Sequence, residues 1–389
     1  MVERRSRLLP LPLVPLMLLA DRINCIVEEA IERRIFPGAV VLVARADTIQ
    51  HYAAYGTTMY DAPGSRLVGF DTIYDIASLT KVFTATAALR LVDDGRLDLH
   101  APVVGYLPEL RAPGITAIHL LTHTSGLNIR LSTLRHAGRA DILAAAYAAE
   151  PIHPPGTAVA YTNVNSLLLG EIVARLFGAP LDAAIRALVL DSLELRDTQF
   201  CPPPALLPRI APTEIDDHWR GRLVHGSVHD ESAYALGGVA GHAGLFSTAA
   251  DLYAFCRMWL DDELADDDRR RLDPRGPDDA STLSASVAKR SRPRLLRPET
   301  IALARANHTP KLAWACGLGW MMNRPHFMGA APDATIGHTG FTGPAIVIVP
   351  QERLIVVVLC NRIYPRRRPP DHHAVIAAIV NAALGQQLE

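Results

Sequence analysis

Residues Tyr74–Gly95 read YDIASLTKVFTATAALRLVDDG. Apolar residues recur at helical spacing from Val82 to Leu91, and two polar side chains, Ser78 and Lys81, stand three apart at the start. Residues at i and i+3 share one face of a helix, so this spacing brings the lysine amine over the serine hydroxyl. The positive end of the helix dipole also lies there and favours negative charge on the serine oxygen. A buried, neutral amine can then take the hydroxyl proton and make the serine a nucleophile. The same residues equally fit a serine N-cap followed by a solvated lysine. Ser-x-x-Lys alone does not separate the two.

Two later stretches bear on the choice. VAYTNVNSLLLG, Val159–Gly170, sets the phenol of Tyr161 and the amide of Asn163 two apart ahead of a helix. IGHTGFTGPAIVIVP, Ile336–Pro350, carries His338, Thr339 and Gly340 on a strand with a glycine-rich exit. In this order the three patterns resemble those of the penicillin-recognising serine hydrolases. The chain more closely resembles the class C β-lactamase branch, which includes D-alanyl-D-alanine carboxypeptidases, D-aminopeptidases and serine esterases. SLTKVFTATAALRLVDDGRLDLHAPVVGYLPEL (Ser78–Leu110), IHLLTHTSGL (Ile118–Leu127) and VHDESAYALGGVAGHAGLFSTAADLYAF (Val228–Phe255) carry that likeness. LCNRIYP (Leu359–Pro365) and AVIAAIVNAAL (Ala374–Leu384) extend it almost to the C-terminus.

The resemblance implies a serine hydrolase working through an acyl-enzyme on a small ester, amide or peptide substrate. It implies an α/β (α+β) fold of the β-lactamase/transpeptidase type, and no metal or cofactor. Ser78 becomes the acylated nucleophile with Lys81 beside it, and Tyr161 passes protons between serine and leaving group. Asn163 holds the substrate's amide oxygen, and Thr339 and Gly340 line the site. The backbone N–H groups of Ser78 and Phe341 form an oxyanion hole. His338 stands where the branch usually has lysine, as in D-aminopeptidases and some esterases. A histidine of unperturbed pKa about 6.5 is mostly neutral at pH 7, which argues against β-lactamase activity. Arg366, after Tyr364-Pro365, reads first as part of a solvated basic turn; the resemblance offers the alternative that it grips any substrate carboxylate in place of the missing cation. A rival from another class is a penicillin-binding sensor or scaffold that acylates with little turnover.

The rest of the chain sets bounds. It has 389 residues, 49% hydrophobic and 20% charged, with a net charge of −1. No global field recruits nucleic acid, and nothing points to an obligatory membrane partner. Five cysteines without CxxC spacing argue against a disulfide framework or a zinc site. MVERRSRLLPLPLVPLMLLA, Met1–Ala20, reads either as a short export signal or as a tail, its prolines disturbing a helical core. A cytoplasmic and an exported location both fit this segment. A helix over Asn24–Arg34 and two strands around Asp47 precede the opening stretch. Helices dominate the middle, short strands return from Ala315, and a helix over Asp371–Leu384 closes the chain.

Strands at both ends with helices between predict an antiparallel sheet completed by both termini, and a mostly helical insertion. This places a tail or signal at 1–20, a sheet domain at 21–85 and 310–389, and a helical domain at 86–309. Charge-dense residues at about 262–297 read as a mobile surface insertion. In HLLTH, His119 and His123 lack the glutamate of a zinc-protease helix and read as a structural loop and cap. Ser125 lacks the Gly-x-Ser-x-Gly elbow of a nucleophile. GGVAGHAG follows no strand of a βαβ unit; its glycines read as tight packing and His242 as a supporting histidine.

Overall fold

The computed structural model describes residues 18–46, 48–260, 294–367 and 371–386. The helices that matter for the site are α1 (Leu19–Glu32), α2 (Thr80–Asp93), α3 (Asn163–Phe177), α4 (Ala249–Trp259) and α5 (His372–Ala383). The strands are β1 (Gly38–Arg45), β2 (Thr48–Gly56), β3 (Met321–Met322), β4 (Ile336–Thr339), β5 (Ala345–Val349) and β6 (Leu354–Cys360). They form one antiparallel sheet in the order β2-β1-β6-β5-β4-β3. Strand β1 pairs with β6 from Ala39 opposite Cys360 to Arg45 opposite Leu354, so the two ends of the chain meet inside the sheet.

The apolar runs AIVIV and LIVVVLC are buried at every position because both faces of the sheet are covered. One face packs α1 and α5 through Ile23, Val27, Ile376 and Ile379 against Val41, Val347 and Val356. The other face, with Val40, Leu42, Ile346 and Val357, shares a core with the inserted helices. Helix α2 lies at the centre of that core and is buried around nearly its whole circumference, its buried Thr84 and Thr86 hydroxyls donating to the carbonyls of Thr80 and Val82.

Several expectations change in detail. Ser78 does not cap α2; it sits in a 3₁₀ turn, Ala77–Leu79, that runs into the helix. Of CGLGWMM only Met321 and Met322 pair as a strand; before them the Gly317 N–H turns back to the Trp320 carbonyl. The turn at PQER is a 3₁₀ helix, Pro350–Glu352, closed by Arg353 in the left-handed region. Most of the charged segment at 262–297 lies outside the described residues, but its end belongs to the packed fold. Leu295 and Leu296 are buried, and the Arg297 N–H donates to Asp93 Oδ2 at 2.7 Å. Most of the N-terminal run also lies outside the described residues, while Leu19 and Ala20 begin α1. Among the described residues no helix is long and apolar enough to cross a membrane.

Candidate active site

The approach to Ser78 is held from below by a buried carboxylate. Asp75 Oδ1 accepts the Ala77 N–H at 2.8 Å and Oδ2 accepts the His229 N–H at 2.6 Å. Burial raises the Asp75 pKa against those two bonds, which act in the opposite sense. Ala77 itself has φ +45°, a left-handed conformation that a non-glycine residue keeps only when its surroundings impose it. Ser78 follows directly.

Lys81, one turn into α2, is 2% exposed. Its Nζ donates to Ser78 Oγ at 2.9 Å and to the His242 carbonyl at 3.1 Å. The aromatic ring of Tyr161 lies over the amine, 5.0 Å from Nζ to ring centroid. Tyr161 is held there by the segment that follows α2. Thr162, which precedes α3, donates its N–H to His123 Nδ1 at 3.4 Å, and Asn165 Nδ2 reaches the same nitrogen at 3.2 Å. Ser125, buried, donates to Asn165 Oδ1. The His123 ring packs 4.6 Å from that of Tyr161. His119 fits the cap reading, bonding Thr116 through Nδ1. His123 is no cap: it supports Tyr161 from the side, accepting the Thr162 N–H and packing on the phenol ring.

His338 closes the far side, its ring 6.0 Å from that of Tyr161. Burial and then the nearby Lys81 charge lower its pKa to about 3, and the same two causes lower that of His123 to about 3. Both imidazoles are therefore neutral at working pH. The bonds fix complementary tautomers: His338 Nδ1–H donates to the Thr339 carbonyl at 2.9 Å, whereas His123 Nδ1 accepts. His338 was expected to touch substrate. It is instead buried behind the cleft wall, and Thr339, the next residue of β4, faces the opening.

A cleft of about 520 Å3 opens on Ser78, lined also by Tyr161, Asn163, Thr339, Gly340 and Phe341. The Phe341 N–H donates to no backbone acceptor among the described residues. Gly340 lets the two loops meet: a Cβ there would stand 2.6 Å from the Ile76 carbonyl oxygen. Asn163 Nδ2 lies 3.4 Å from Asp230 Oδ2. Burial would raise the Asp230 pKa, but His242 and hydrogen bonds from Ser232 and the Ala233 N–H hold it well below the usual carboxylate range. His242 thus anchors Asp230 through its ring and Lys81 through its carbonyl.

Arg366 is not brought to this cleft. The turn after β6 sends it outward, to Asp217 at 2.8 Å with its side chain 70% exposed, and the cleft is lined instead by Arg362 and Arg367. Their guanidinium carbons lie 4.9 and 5.7 Å from the Phe341 ring centroid, and the His229 ring stacks on Phe341 at 5.7 Å. Asp75, His229, Asp230 and Arg362 were not singled out from the sequence, and Arg367 was read only within a solvated basic run. The first three had a signal: a lone acid three residues before Ser78, and the His-Asp pair in VHDES. Among the described residues no group of His, Cys, Asp and Glu side chains is set to hold a metal ion.

The arrangement can remove a proton from a serine, stabilise an oxyanion beside it and return a proton through a phenol. The family model described as Beta-lactamase matches residues 23–380. A Bacillus subtilis (strain 168) protein described as an N-acetylmuramyl-L-alanine amidase is 32% identical over 378 residues, covering 86% of this chain and 80% of that protein. A Salmonella agona (strain SL483) protein described as a candidate D-alanyl-D-alanine carboxypeptidase is 28% identical over 377 residues, covering 84% of this chain and 79% of its own length. The structure of EstCE1, a hydrolase with promiscuous acyltransferase activity, shares the fold with a TM-score of 0.71 at 20% identity, covering 94% of this chain and 98% of that one. The chain belongs to the β-lactamase family. It is an enzyme, a serine hydrolase of the kind that acts on amides or esters through an acyl-enzyme.

Proposed function

We propose that Ser78 is the acylated serine and that the substrate bond is an alanine amide in a peptide released from bacterial cell wall. The contact of 2.9 Å between the buried Lys81 amine and Ser78 Oγ carries the first part. The relatives support the second, since their descriptions share a bond to alanine and no further chemistry. In the proposed sequence Lys81 takes the hydroxyl proton as Ser78 Oγ bonds to the carbonyl carbon. The oxyanion is held by the N–H groups of Ser78 and Phe341, and Asn163 holds the substrate's amide oxygen. The proton returns through Tyr161 to the leaving amine as the C–N bond breaks. Water then adds to the ester carbonyl as its proton passes through Tyr161 to the neutral Lys81, and Lys81 returns that proton to Ser78 Oγ as the ester C–O bond breaks.

The test is a turnover panel of N-acetylmuramyl-alanine, a D-alanyl-D-alanine peptide, D-amino acid amides, nitrocefin and a short-chain nitrophenyl ester. The proposal expects an alanine amide to lead in kcat/KM by tenfold or more over nitrocefin. Nitrocefin as the leading substrate would refute the substrate class, and turnover by Ser78→Ala would refute the nucleophile.

A further inference from the structure

Beside the Ser78 cleft lies a second of about 460 Å3, lined among others by Arg135, Asp217, Trp219 and Arg366. Glu231 and Arg367 line both clefts and so form the wall they share. That wall is electrically complete. Arg367 Nε lies 3.0 Å from each oxygen of Glu214, its Nη2 donates to Glu231 Oε1 at 2.6 Å, and Glu214 Oε2 also meets His229 Nε2. Asp216 is occupied too, accepting the N–H groups of His218 and Trp219 at 3.2 and 3.0 Å.

Beyond the wall two guanidinium groups are differently placed. Arg135 donates from Nε to His136 Nε2 at 3.3 Å, and its guanidinium carbon stands 5.7 Å from the Trp219 ring centroid. It makes no ion pair among the described residues. Arg366 pairs with Asp217 across side chains 70% and 49% exposed, and a pair so solvated yields readily to a competing anion. The wall's acids, already matched, offer such an anion little repulsion.

We propose that this second cleft is a substrate subsite, in which Arg135 and Arg366 hold a carboxylate on a neighbouring residue of the peptide while the scissile amide lies at Ser78. The proposal rests on the reading of the protein as a hydrolase of alanine amides in peptides. A planar guanidinium matches a carboxylate with two parallel N–H donors. Contact with Trp219 and His136 holds the Arg135 plane before the ligand arrives, which lowers the ordering cost of binding. Because the clefts adjoin, one extended peptide can occupy both. The carboxylate anchor read from the sequence thus lies one subsite away from the serine.

The test uses two N-acetylated alanyl peptides that differ only in the residue after alanine, glutamate or glutamine. Binding to the Ser78→Ala protein is measured by calorimetry, so the subsite is tested apart from the reaction. The glutamate peptide should bind roughly tenfold tighter or more, the scale of one charge-assisted hydrogen bond. Adding Arg135→Ala should remove most of that preference, Arg366→Ala part of it, and Arg135→Lys should restore some. With Ser78 intact, Arg135→Ala should leave hydrolysis of a neutral nitrophenyl ester unchanged. Equal affinity for the two peptides, no binding of either, or an equal loss for both in Arg135→Ala overturns the subsite. So does a fall in neutral-ester hydrolysis in Arg135→Ala, which would make the residue a prop of the fold. Ester hydrolysis surviving in Ser78→Ala would instead overturn the nucleophile and leave the binding preference as a separate result.

Discussion

Asp75→Ala would remove two hydrogen-bond acceptors from beneath the nucleophile. It leaves the buried N–H groups of Ala77 and His229, now bonded at 2.8 and 2.6 Å, without a partner. Each orphaned buried donor costs about 1–3 kcal/mol, so the pair costs about 2–6 kcal/mol. Part of this is offset, because the Asp75 carboxylate is itself unfavourably buried, as its raised pKa records. A net loss of about 2–4 kcal/mol remains. The larger effect falls on catalysis. Ala77 keeps φ +45° against a steric cost of about 1–2 kcal/mol, and its bond to Asp75 is what opposes relaxation. Once it relaxes, Ser78 moves with it, and a displacement of about 1 Å at a reacting atom costs on the order of a hundredfold in rate. Asp75→Asn keeps one acceptor and sets an amide N–H against the other donor, so it should fall between wild type and alanine. Urea denaturation midpoints and kcat/KM for a nitrophenyl ester measure both effects. An alanine variant within about 1 kcal/mol of wild type and fully active would show that Asp75 does not hold Ser78 in place.

Two other predictions concern the same site. His123 and His338 have pKa values of about 3 in the fold and about 6.5 when unfolded, so the unfolded chain binds more protons in acid. The stability they contribute is complete above pH 6.5 and is lost as pH falls toward 3, by about 2 kcal/mol each at pH 5. Between pH 7.5 and 5, His338→Gln should lose about 2 kcal/mol less than wild type, and an imidazole in the folded protein titrating near 6.5 would contradict its assignment. Lys81→Ala and Tyr161→Phe should each cut kcat by orders of magnitude and the double variant by little more, as expected of one proton-transfer unit. Strictly multiplicative losses, measured under saturating ester, would separate their roles.

The sheet was legible because its interior strands carry unbroken apolar runs; AIVIV and LIVVVLC admit little else once both flanks turn. The contact of Lys81 with Ser78, and the placing of Tyr161 with Asn163 on one cleft, were legible because each pair is written as a short local spacing. What stayed hidden depends on long-range placement. Asp75 meets His229 across 154 positions, and no local pattern records that bond. In NRIYPRRR the arginines look interchangeable, and only the path of the turn after β6 sends Arg366 out and brings Arg362 and Arg367 to the cleft. His123 was read only as part of a structural loop. It shares its stretch with a true cap residue, His119, and only the packing of α3 turns its ring toward Tyr161.

The claim on which the rest depends is that Ser78 carries the acyl group. The direct measurement is peptide mapping by mass spectrometry after rapid acid quench of the protein with a nitrophenyl ester or a fluorescent penicillin. One added acyl mass is expected on the peptide containing Ser78, and none on that peptide in Ser78→Ala. An adduct on another serine, such as Ser125, or an unmodified Ser78 peptide during steady turnover would contradict it.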